Sequence, residues 1–200
     1  MKNLDKKIDK DFIKNHIEKS KEAKSSLLLQ TDKIIKIIET LKKTIINGGT
    51  IFSCGNGGSS CDAMHLTEEL VARYEKHRPG IKAQHLWDPS IITCWANDYN
   101  FEEIFERQIQ TFINPRDALL AFSTSGNSKN IIKALASANS QKATTILLSG
   151  QDGGKAIKLA SLSITVNSQN TAHIQESHIT LVHLICKALE KFLLEEKEDT

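Results

Sequence analysis

Apolar runs in this sequence never exceed a handful of residues, and no basic stretch with an apolar core opens it, so neither a membrane span nor a signal peptide is expected and the protein is read as cytoplasmic. Proline is scarce: there are three, none before Pro79, so nothing breaks a helix in the first third of the chain. The four cysteines, Cys54, Cys61, Cys94 and Cys186, show no CxxC spacing, which argues against a thiolate metal centre and a disulfide framework and for reduced, buried thiols. Net charge is only +2, with +5 on residues 1–47 and −3 on the rest. The basic residues of the first segment alternate with acidic ones along helical faces, the pattern of a solvated surface rather than of a nucleic-acid site. A full GxGxxG and the Walker lysine are also missing, which disfavours dinucleotide binding and P-loop chemistry.

What is present is a chain of 200 residues, 40% apolar and 25% charged, enough for one substantial core. Residues 1–47 show helical periodicity. Leu27, Thr31, Ile34, Ile38, Leu41 and Ile45 recur at steps of four and three, predicting one face of a long helix, and a shorter amphipathic segment with Ile8, Phe12 and Ile17 precedes it. Such a stripe resembles a bundle seam, so part of its partner surface is expected from another subunit.

After "NGG" the pattern changes to short β-rich runs at 50–54, 83–87, 118–123, 144–149 and 162–166, separated by helical segments, with a last helix over about 171–195 and a polar tail "EEKEDT". Strands alternating with helices predict an α/β fold with a parallel sheet covered on both faces, and ligands at the carboxyl ends of the strands.

Two strand ends carry loops suited to an anion. "CGNGGSS" offers glycines for close backbone approach and the N-terminus of a following helix. "FSTSGNSKN" surrounds Gly126 with the hydroxyls of Ser123, Thr124, Ser125 and Ser128, able to donate to phosphate oxygens without an arginine. One turn past the first loop, His65 and Glu69 share a helix face, with Glu68 as an i+3 alternative. On the last helix Ile174, His178, Leu181, Ile185, Ala188 and Phe192 form one stripe, placing His178 in a packed face, whereas Gln175 and His183 fall in a separate row and can point into one cavity. His, Glu, Gln and His make a plausible oxygen and nitrogen set for Zn²⁺ or a similar ion.

Taken together, "CGNGGSSCDAMHLTEEL", "ANDYNFEEIF", "FSTSGNSKNIIKAL", "LSGQDGGK" and "IQESHITLVHLI" resemble the sedoheptulose 7-phosphate (phosphoheptose) isomerases of the sugar-isomerase, or SIS, superfamily, in order over about residues 45–195. The resemblance implies a three-layer αβα sandwich with a five-stranded parallel sheet, residues 48–200 forming the SIS domain and residues 1–47 an N-terminal helical pair serving oligomerisation within the same unit. It also implies a homotetramer with active sites at subunit contacts, and no nucleic-acid or membrane partner. A sugar phosphate would bind at Asn56, Gly57, Gly58, Asn97, Asp98, Ser123, Thr124, Ser125 and Ser128, together with Glu69 and Gln175. One zinc ion per subunit would be held by His65, Glu69, Gln175 and His183, with Glu69 and His183 as the catalytic acid/base pair. Ser60, where some relatives carry His, and Trp95, where smaller residues are common, depart from the pattern. The competing expectations are a non-catalytic SIS-domain regulator that binds a replication-initiation protein, and an isomerase of another sugar phosphate.

Overall fold

A computed structural model describes residues 8–198; the first seven residues of the N-terminal segment and the last two of the polar tail lie outside the described residues. The chain begins with α1 (Lys10–Ser25), a 3₁₀ segment (Ser26–Gln30) and α2 (Thr31–Ile46). There follow β1 (Ile51–Gly55), α3 (Gly58–Val71), β2 (Ala83–His85), α4 (Pro89–Asp98), α5 (Ile104–Phe112) and β3 (Ala118–Ser123). The series ends with α6 (Lys129–Ser140), β4 (Thr144–Gly150), β5 (Leu162–Val166) and α7 (Thr171–Glu198). Local signals explain several starts. Asp9 caps α1 by accepting from the Phe12 amide (2.8 Å), and Asp88 caps α4 with Pro89 in its first turn, where a missing N–H costs nothing.

All five strands are parallel, in the order β2-β1-β3-β4-β5. The sheet is the middle of three layers. On one face Ile51, Leu120, Phe122 and Leu148 meet α2, α3 and α7 through Ile37, Leu41, Leu66, Leu70 and Leu181. On the other, Phe52, Leu119 and Leu147 meet α5 and α6 through Phe105, Ile109, Ile131 and Leu135. Every residue of β1 and β3 is buried, the continuous apolar pattern of strands covered on both faces. No helix among the described residues is long and apolar enough to cross a membrane.

The N-terminal helices depart from the expected stripe. The helix does not run through from Leu27; a 3₁₀ segment ends at Gln30, and Thr31 opens α2 exposed to solvent. The buried face of α2 is Ile34, Ile37, Leu41 and Thr44, with Ile38 and Ile45 only partly covered. A 3.6-residue period allows this neighbouring row as readily, and contact with the curved sheet selects it. In α1, Ser20 and Ala23 face α7, and the small residues permit close approach while Phe12 and Ile17, and Ile8 just ahead of the helix, stand exposed. Only Cys54 and Cys186 are buried; Cys61 and Cys94 sit on outward faces of α3 and α4.

Ile37→Ala, on the buried face, is expected to lower unfolding free energy by about 2–5 kcal/mol, and exposed Thr31→Ala to stay within about 0.5 kcal/mol, in urea titrations.

Candidate active site

The chain leaves β1 toward β2 on one side and returns to β3 on the other, so the carboxyl ends of β1 and β3 flank the point where strand order reverses. Gly55 pairs with Phe122, and the loops that follow stand side by side. A reciprocal amide pair joins them: Asn56 Nδ2 donates to Asn130 Oδ1 (2.9 Å) and Asn130 Nδ2 to Asn56 Oδ1 (2.8 Å). Gly57 adopts φ +55° to turn the chain into α3, and Gly126, at φ +61°, lies so close to the Gly153 carbonyl that a side chain has no room.

Between the loops is a cavity of about 310 Å³. Asn56, Gly57 and Gly58 form one wall and Ser123, Thr124 and Ser128 another, while Gln175 closes it from α7. Ser128 occupies the N-cap position of α6 without spending its hydroxyl on a cap. Among the described residues, no lysine or arginine lines the space. Its donors are hydroxyls and the N-terminal ends of α3 and α6, whose positive dipole ends suit an anion, the Ser59 and Ser60 amides of α3 being taken by the Asn56 and Gly57 carbonyls (3.0 Å each). Ser59 and Thr171 also reach the cavity. Sequence reasoning missed both, although Ser59 is inside "CGNGGSS" and Thr171 precedes Gln175 by one helical turn. Ser125 is not among the lining residues; its hydroxyl accepts from the Asn127 amide (3.2 Å) within the loop. Asn97 and Asp98, at the end of α4, are exposed, bond to each other (2.9 Å) and do not line the cavity.

Farther along α3, His65 Nε2 stands 3.1 Å from Glu69 Oε1 and 3.3 Å from His183 Nε2 of α7. One ligand atom from each of the three falls within 4.8 Å of the others. Zn–N and Zn–O bonds of about 2.0–2.1 Å in a tetrahedron give ligand–ligand edges of about 3.3 Å, so the spacings fit a divalent cation. Glu68 points to solvent, and Glu69 is the carboxylate that joins the cluster. Gln175 lies against Gly58, where a Cβ would strike its amide, and so closes the cavity while facing the same helix as the cluster. Tyr74, just past the end of α3, sets its ring 6.0 Å from that of His183.

His178 sits in the packed face, as its stripe indicated. It is fully buried, donates from Nε2 to the Ser149 carbonyl (3.3 Å) and has no partner at Nδ1. Burial pushes its pKa down from 6.5 to about 4, against a smaller upward pull from that hydrogen bond. Asp62, on α3, is pushed the other way: burial raises its carboxyl to about 6, opposed by nearby His65.

A model of the SIS domain family matches residues 14–150. A phosphoheptose isomerase from Helicobacter pylori (strain P12) is 41% identical over 191 residues, which cover 94% of this chain and 96% of the relative. The structure of a phosphoheptose isomerase from Francisella tularensis superposes with a TM-score of 0.87 at 33% identity, covering 90% of this chain and 97% of that one. That of a phosphoheptose isomerase from Neisseria gonorrhoeae gives 0.85 at 32% identity, covering 90% and 98%.

The folded chain keeps His178 neutral to about pH 4, whereas an unfolded chain protonates it near 6.5, so this group's stability is intact above 6.5 and lost as pH falls toward 4. The urea midpoint of the wild type should therefore fall relative to that of His178→Gln between about pH 7 and about pH 4.5. Asp62 contributes the opposite slope to both proteins and cancels in the difference.

Proposed function

Because the chain belongs to the SIS-domain family of phosphoheptose isomerases, we propose that it interconverts sedoheptulose 7-phosphate and D-glycero-D-manno-heptose 7-phosphate, the entry to ADP-heptose for the lipopolysaccharide core. The observation that carries this reading is the placement of two chemistries on one helix. Gly58, at the anion-type cavity, and His65, in the His/Glu cluster, are seven residues apart and so on the same side of α3, separated by about 10 Å of rise. That span suits an open-chain seven-carbon sugar phosphate with its phosphate at one end and its carbonyl at the other, and favours a heptose over a shorter sugar.

In this reading the phosphate rests among Ser123, Thr124 and Ser128 and the start of α3, held by neutral donors. Gln175 orients the sugar from the opposite wall, and Ser125, whose hydroxyl accepts from the Asn127 amide, keeps its O–H free to donate to the phosphate. Glu69 removes a proton from C1 of the ketose and returns it to C2 through an enediol, and His183 moves the proton between the two oxygens, steps that each need the carboxylate oxygen or ring nitrogen concerned to be free of a metal while it carries the proton. His65 accompanies them as the residue that both other side chains meet or approach. Residues His65, Glu69 and His183, with Gln175 as a possible fourth donor, are the ones to hold zinc, one ion per subunit. An ion held by these residues would supply polarisation of the substrate oxygens.

The assembly is proposed as a homotetramer, with residues 1–47 as its assembly element and residues 48–200 as the SIS domain. Two observations support shared sites. Asn97 and Asp98 are exposed and do not line the cavity, so a substrate role for them calls for a neighbouring subunit's site. Phe12, Ile13 and Ile17 also leave an apolar face of α1 bare.

Proton NMR of the protein with sedoheptulose 7-phosphate in D₂O should show an aldoheptose phosphate forming, with the rate reduced about 10²–10⁴-fold in Glu69→Gln and His183→Ala. No turnover by folded, zinc-supplied wild type would point to a binding protein instead. Native mass spectrometry should give the mass of four chains, and Ile13→Asp should reduce that assembly to smaller species.

A further inference from the structure

The buried ion pair Arg78–Glu190 belongs neither to the cavity nor to the His65–Glu69–His183 cluster, and the chemistry above makes no use of it. Arg78 lies in the connection from α3 to β2 with its side chain fully buried. Its Nη2 donates to the Glu69 carbonyl (2.6 Å), and its Nη1 to the carbonyls of Leu70 (2.8 Å) and Pro79 (3.0 Å). The first two belong to the last turn of α3, whose carbonyls have no partner within the helix and where a cation complements the dipole. Glu190 of α7 is equally enclosed. Its Oε2 accepts from the backbone amides of Glu75 (3.1 Å) and Lys76 (3.0 Å), and its Oε1 faces Arg78 Nε at 3.6 Å. Neither facing atom has a hydrogen bond, so the contact is Coulombic, and each charge is tolerable away from water only because the other opposes it.

The sequence register gives this pair its significance. Glu190 follows His183 by seven residues, two turns on the same side of α7. The two helices run parallel and meet at three levels: Gln175 against Gly58, His183 against His65, and Glu190, through Arg78, against the backbone of Glu69. At the middle level two imidazole nitrogens stand 3.3 Å apart beside a carboxylate, an arrangement that supplies little attraction of its own. We infer that Arg78 and Glu190 are positioning residues that hold α3 and α7 at the separation where His65, Glu69 and His183 form a ready-made divalent-cation site. Arg78 acts on Glu69 directly through its backbone carbonyl, and Glu190 fixes Arg78 to the helix that carries His183. This inference rests on the metal reading proposed above.

The test measures Zn²⁺ dissociation constants of the metal-free full chain by competition with a chromophoric chelator. It compares wild type, Glu190→Gln, Arg78→Lys and, as control, Lys187→Ala, which breaks the exposed Lys187–Glu75 pair between the same elements. Circular dichroism and melting curves first establish folding. Glu190→Gln and Arg78→Lys should bind Zn²⁺ about 10–100-fold more weakly, the usual range for groups behind the ligands, while the control matches wild type. Excess Zn²⁺ should restore kcat in both, and KM for the sugar phosphate should stay unchanged because the cavity is untouched. Folded variants with wild-type Zn²⁺ affinity would overturn the inference and leave the metal reading standing. Wild type that binds no Zn²⁺ would overturn both. Failure of both variants to fold would make the pair purely structural and overturn the inference as well.

Discussion

The parallel ladder between β1 and β3 sets Gly55 against Phe122, and that register brings the glycine-bearing and serine-bearing loops out of the sheet side by side. Were another strand between them, each would be an ordinary turn before a helix. Together they enclose a cavity, and the amide pair of Asn56 and Asn130 keeps the loops in step. Two side-chain amides that each donate to the other, one buried and one half-buried, are held at a fixed distance by a closed ring of two hydrogen bonds, which makes such a pair a stiff spacer.

The second determinant is the parallel packing of α3 on α7. Helical periodicity puts Gly58 and His65 on one side of α3 and Gln175, His183 and Glu190 along one side of α7. Contact at one level therefore implies contact at the others. The absence of a side chain on Gly58 matters here, because it lets the Gln175 amide settle against the start of α3. The motif glycine thus serves helix packing as well as the loop.

Much of this was readable beforehand, for physical reasons that differ from element to element. The central strands stood out because parallel strands covered on both faces need continuous apolar runs, and β3 and β5 fall on the expected residues, whereas the edge strand β2 is only partly buried and ends at His85, short of the expected 83–87. Helical spacing put His65 beside Glu69, with Glu68 still open, and His183 in a row apart from His178, and the family resemblance joined the two helices into one set; His178 could be recognised as core because an apolar stripe ran through it. The choice of buried row on α2 could not be read, since Ile34, Ile37 and Leu41 compete with Ile34, Ile38 and Leu41 at nearly equal spacing and only the sheet decides between them. Arg78 gave no signal either. A lone arginine in a connection looks solvated until three carbonyls and Glu190 are seen to enclose it. The exposure of Asn97 and Asp98 was likewise invisible, because strand order and chain path determine which loops meet.

That no lysine or arginine is among the described residues lining the cavity has a consequence for how an anion is held there. A cationic funnel draws charged ligands from a distance and weakens as salt rises, with a reach of about 8 Å at physiological ionic strength. Hydroxyls and helix ends act only at contact. The lining of one chain therefore adds contact donors but no cationic steering of its own, and any attraction at a distance falls to charges outside the lining, such as the exposed Lys129 beside Ser128. Selectivity then falls to how many oxygens the ligand can offer to fixed donors, so that a tetrahedral ester is distinguished from a carboxylate of equal charge by its shape.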